Sequence, residues 1–159
     1  MKVQIVVKLL GAIFVILCGW GCGQAALQKH RLRRKTLQAA AQLLHQIGNE
    51  ISYRKLPLKL IYEKLQESAA AKLLLFIPNG SFQTAVPPPV LSKEEQACFI
   101  ECFSGMGQSG ALQECSRLEY YRQWFETAAE AVSQEENKAA ALYGKLGAGV
   151  GLMAALAFL

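Results

Sequence analysis

Four apolar stripes at helical spacing and two long apolar runs account for most of this chain. The first run, Leu9 to Leu27, reads LLGAIFVILCGWGCGQAAL, with no charge and one amide at Gln24. As a helix it is about 28 Å long, close to the ~30 Å hydrocarbon core of a bilayer. Leu37, Ala40, Leu44, Ile47 and Ile51 then recur at intervals of three and four. They predict a helix over Lys35–Arg54 with a slight bend at Gly48. Leu58, Ile61, Leu65, Ala69, Leu73 and Phe76 form a second stripe between Pro57 and Pro78, residues that punctuate helices. From Pro78 to Leu91, Pro-Asn-Gly and then Pro87-Pro88-Pro89 predict a turn followed by a stiff extended connector.

Ser92 and Glu95 have the spacing of a capping box and open a third helix, whose buried surface is assigned to Ala97, Phe99, Ile100, Phe103 and Met106. It ends in the glycine-rich turn Gly105–Gly110. No Lys-Ser or Lys-Thr pair follows that turn and no strand precedes it, so it reads as a helix-to-helix turn, not a phosphate cradle. The fourth stripe is Leu118, Tyr121, Phe125, Ala128 and Val132, with Glu126, Glu130, Glu135 and Glu136 off it. This helix runs from about Ala111 straight into residues 139–159, AAALYGKLGAGVGLMAALAFL, where Lys145 is the one charge. Such a segment reaches about 31 Å. The expected fold is all-α: N- and C-terminal transmembrane helices (1–28 and 139–159) flanking a cytoplasmic antiparallel helical bundle (29–138).

Charge sets the expected direction. Lys29, Arg31, Arg33, Arg34 and Lys35, with His30 among them, follow the first run, whereas only Lys2 and Lys8 precede it. The heavier basic flank stays in the cytoplasm, so both termini are expected outside. The collar is read as a topology signal against lipid headgroups; without interleaved aromatics it is no nucleic-acid platform. Net charge is +5 and hydrophobic residues make up 52 % of the 159 residues, high for a chain outside a membrane. The alternative is an exported or lipid-anchored helical protein whose first segment is cut near Ala25 or Ala26. A signal peptide, however, carries its charge before the apolar run, and this collar opposes export.

Catalytic chemistry is thin. Five cysteines is an odd number, which argues against a disulfide framework. Cys98, Cys102 and Cys115 with His45 make a zinc set on paper but lack a Cys-x-x-Cys knuckle. Neither histidine has an evident nucleophile beside it. Glu94, Glu95 and Glu101 read as a solvated helix face. No enzyme activity, cofactor, metal, small-molecule substrate or nucleic acid is expected.

Two groups of residues are singled out for contacts. Gly19 and Gly23 in the first run, and Gly147 and Gly151 in the second, have the four-residue spacing that lets membrane helices approach. Tyr53, Arg54, Lys55, Pro57 and Lys59 form a basic patch at a rigid corner, suited to an acidic partner.

The layout resembles the stage III sporulation protein AB family of endospore-forming bacteria. The resemblance is carried by Lys8-Leu9-Leu10-Gly11-Ala12, by the collar leading to Leu37-Gln38, and by Asn49-Glu50-Ile51-Ser52-Tyr53 with Pro57-Leu58. Gly107-Gln108-Ser109 with Gln113, and Tyr143-Gly144-Lys145-Leu146-Gly147 before the last apolar run, complete it. The resemblance implies a place in the mother-cell membrane facing the forespore, in a secretion-like channel assembly. It also implies similarity to the inner-membrane platform domains of type II secretion and type IV pilus machines. The implied partners are membrane lipid, a hexameric ATPase (stage III sporulation protein AA) and other membrane components of the same complex.

Overall fold

The sequence has no proline before Pro57, and from Lys2 to Asn49 it forms one helix of 48 residues, α1. The structure is a computed structural model that describes residues 2–66, 76–78 and 81–158. Within the terminal helical stretches, the side chains of 2–10, 12–26, 144, 147–148, 150–152 and 154–158 lie outside the description. α1 passes straight into a π-helical turn, Glu50–Arg54. α2 spans Leu58–Leu65, a short 3₁₀ turn spans Phe82–Thr84, α3 spans Lys93–Ser104 and α4 spans Ala111–Phe158. The described residues contain no strand.

The chain divides into two compact units. In the unit Leu32–Val132, α1 and α4 run antiparallel: the Cys115 thiol faces the Gly48 carbonyl, while Ala41 and Gln42 share a cleft with Glu126. The core follows the sequence stripes. Leu37, Ala40, Leu44, Ile47 and Ile51 are buried, as are Ile61 and Leu65, Phe99 and Phe103, Leu118, Tyr121, Phe125 and Val132. Phe99 and Phe103 lie 4.5 Å apart between ring centroids, and Phe99 meets Phe125 edge-on. Each fully buried phenylalanine contributes about 1.5–3 kcal/mol of transfer free energy.

Several local expectations are corrected. The irregularity near the end of α1 falls at Glu50–Arg54, not at Gly48, which is helical. Ala97 and Ile100 are exposed, and Cys102 fills the core in their place. Ala129 is buried and Ala128 only partly so. The connector after Pro78 is interrupted by its 3₁₀ turn, because Phe82 inserts into the core against Phe103 and Tyr62. Tyr62 donates to the Ile77 carbonyl at 3.1 Å, tying that connector to α2. The part of the second stripe at Ala69 and Leu73 lies outside the described residues.

The second unit comprises Met1–Arg31 with Ser133–Leu159. Within it the Arg31 Nε donates to Glu136 at 2.9 Å and His30 lies 3.8 Å from Glu135. Among the described residues no helix is long and apolar enough to cross a membrane. The runs 9–27 and 139–159, expected to span, consist largely of residues whose side chains lie outside the description. Gly19, Gly23, Gly147 and Gly151 belong to that stretch; their backbone is helical.

Candidate functional site

The basic corner is built by three backbone devices in succession. The widened turn Glu50–Arg54 ends α1, buries Ile51 and leaves Tyr53 84 % exposed. Lys55 then adopts a left-handed conformation, φ 50°, and its amide donates to the Ile51 carbonyl at 3.2 Å. That bond is the usual way to satisfy a terminal helix carbonyl. Pro57, extended at φ −64° and ψ 146°, starts α2, its carbonyl accepting from the Leu60 and Ile61 amides.

Ion pairs fix the corner. Glu50 bonds the Lys64 ammonium on α2 and lies 3.7 Å from Arg54 Nε. The Lys64 hydrogen bond, opposed by partial burial and helped by the charges of Lys64 and Arg54, holds the Glu50 carboxyl below its ordinary value. Beneath, Leu58 packs on the turn Gly105–Gly110. A Cβ on Gly107 would lie 2.6 Å from Leu58 Cδ1, and Gly107 has φ +83°. Only glycine combines that backbone with that approach. At Gly105 a Cβ would lie 2.7 Å from Arg117, whose guanidinium donates to the Cys102 carbonyl at 3.0 Å and closes the end of α3.

The structure therefore brings Tyr53, Arg54, Lys55, Pro57 and Lys59 together as an exposed corner. Arg54 is engaged by Glu50. For the ammonium groups of Lys55 and Lys59, the described residues provide no acidic partner within 4.0 Å. Sequence reasoning did not single out Leu60, 48 % exposed beside Lys59, or Leu112, 88 % exposed at the start of α4. Both are leucines in helical pattern, and only the packing shows that they face solvent.

Elsewhere charge is structural. Glu95, expected to be solvated, is buried: Arg33 forks onto it with Nε at 3.0 Å and Nη2 at 2.7 Å. The physical reason is that the capping box already fixes Glu95 at the helix start, facing α1. Burial would raise its carboxyl, but the Arg33 and Ser92 hydrogen bonds and the Arg33 charge outweigh that and lower it. Glu136 likewise is buried against Arg31, not off the packed surface. Two members of the basic collar thus serve as clamps.

Burial, with Glu101 nearby, pushes the Cys98 thiol up to about 11; burial raises Cys102 as well. Both are protonated at neutral pH. Among the described residues no cluster of histidine, cysteine or acidic side chains could hold a metal ion. A shallow cleft of about 220 Å³ is lined by Ala41, Gln42, His45, Gln46, Arg122 and Glu126. Arg122 in this cleft is occupied by Glu119 and Glu126.

The described residues form an all-helical protein with an exposed basic corner. The family model described as stage III sporulation protein AB matches residues 8–83. Over that stretch the chain is similar to the stage III sporulation protein AB family. The matched stretch contains the collar, the π turn and the whole corner; the turn Gly105–Gly110 and the segment 143–147 lie beyond it. Comparison with curated proteins and with solved structures finds no match.

Proposed function

We propose that this chain is a non-enzymatic membrane platform of a sporulation-specific, secretion-like channel assembly between mother cell and forespore. In this reading the runs 9–27 and 139–159 anchor it in the mother-cell membrane, and residues 29–138 face the cytoplasm. The basic corner docks a cytoplasmic ATPase, the companion stage III sporulation protein AA. The family match over residues 8–83 supports the setting. The observation that carries the docking is the corner itself: exposed, basic, and held by the π turn, the Glu50–Lys64 pair and the Leu58–Gly107 contact. A surface kept in one geometry loses little entropy on binding, and clustered cations speed encounter with an acidic partner.

The test uses the full-length chain in detergent. The triple reversal R54E/K55E/K59E abolishes binding of the ATPase and blocks sporulation, while membrane insertion and protein level match the wild type. Unchanged affinity in low salt places the docking site elsewhere.

A further inference from the structure

We propose that Lys55 is the specificity-determining contact of the corner, its ammonium presented to an acidic protein surface by a backbone conformation that works against a side chain. This inference rests on the docking reading above and assigns one residue within it. Lys55 is the one described non-glycine residue with positive φ. Its position is the helix terminus at which glycine is the usual choice, since a Cβ is disfavoured in the left-handed region. Asparagine and aspartate tolerate it through their short side chains, a remedy that lysine lacks. The chain itself gives no compensation: Lys55 is exposed, and among the described residues its ammonium has no ion pair or hydrogen bond. What the left-handed residue does for the fold, the amide bond to the Ile51 carbonyl, belongs to the backbone and survives any substitution other than proline.

The neighbours sharpen the assignment. Arg54 already has Glu50 and must be drawn from it to meet a partner. Lys59 sits on regular helix, where lysine is an ordinary exposed residue. Lys55 alone combines an unfavourable backbone, full availability and a place at the apex between the π turn and Pro57. Strained residues of this kind collect where strain positions a functional group.

Glycine and arginine at this position separate the two roles. In K55G the strain and the charge both go, so the melting temperature of the full-length protein rises by a few degrees. Affinity for the purified ATPase falls about fivefold in low salt, the size expected for one exposed interfacial charge. In K55R the charge is kept, and both quantities stay near the wild type. K55G that melts no higher than wild type shows that the lysine stabilises the fold, which overturns the inference. If K55G binds like wild type while R54E/K59E does not, the docking reading stands and the assignment to Lys55 fails. If neither variant weakens binding, the docking reading fails with it. Phosphatidylglycerol vesicles form the last arm: loss of vesicle binding by K55G with ATPase affinity unchanged makes Lys55 a lipid contact and overturns the inference.

Discussion

Glu95 accepts from the Ser92 amide at 2.7 Å within its own helix and from the Arg33 guanidinium of α1, so one carboxylate starts α3 and ties it to a neighbour. With both partners in place its charge is satisfied; without Arg33 the buried carboxylate keeps only its bond from the Ser92 amide. Removing one member of a buried pair costs more than the pair contributes. E95A is therefore expected to destabilise the protein by about 2–4 kcal/mol, read as a lowered denaturant midpoint. The pH dependence follows from the lowered folded-state carboxyl. The stabilisation is present above the ordinary value of 4.5 and is lost as pH falls through the folded value. Wild type consequently loses stability on acidification below about pH 5 more steeply than E95Q. Parallel acid profiles for the two proteins would show that Glu95 carries no linked charge.

At the scale of elements, helix positions follow directly from spacing, because burial of one stripe per helix dominates: Leu37 through Ile51 and Leu118 through Val132 lie where period 3.6 puts them. The capping box at Ser92 was equally readable, being a local exchange of two hydrogen bonds. What spacing could not show is which polar residue finds a distant partner, as Arg33 finds Glu95 across 62 residues. Nor could it show where an aromatic in a loop turns inward, as Phe82 does. The π turn was hidden too, since Glu50–Arg54 contains nothing that breaks a helix in sequence. The corner residues were legible as charge near Pro57; their left-handed apex at Lys55 and the seat of Leu58 on Gly107 were not. Two glycines make the distinction testable. Gly48 is helical with open space around it, so G48A stabilises by about 0.5–1 kcal/mol. Gly107 has φ +83° and Leu58 against it, so G107A destabilises by about 1–2 kcal/mol. Chemical denaturation of both reads the opposite signs; equal effects would mean that the turn relaxes freely around Gly107.

For the whole molecule, the pairing of the collar bears on the proposed topology. Orientation across a membrane is set by lysine and arginine flanking the apolar run, and acidic residues count little in it. In the folded chain Arg31 and Arg33 are neutralised by Glu136 and Glu95, acids that stand far along the sequence and emerge long after the collar. In the proposed topology the collar acts during insertion with its charges unpaired and keeps its own side of the run in the cytoplasm, and folding pairs Arg31 and Arg33 afterwards. The same logic applies at the other end, where Lys138 precedes the last apolar run and Lys145 sits near its start. The proposed topology thus places position 93 in the cytoplasm and leaves the first run uncut. In a variant with all five cysteines replaced, K93C stays unreactive toward an impermeant maleimide in intact cells and reacts after lysis. The protein isolated from membranes retains the residues before Leu27. Labelling of K93C from outside, or a mature N-terminus near Ala26, would reverse the orientation and favour the exported form. Neutralising Lys29, Arg34 and Lys35 alone leaves the clamps Arg31–Glu136 and Arg33–Glu95 in place. If that variant begins to label from outside, the charge of the collar is the topology signal.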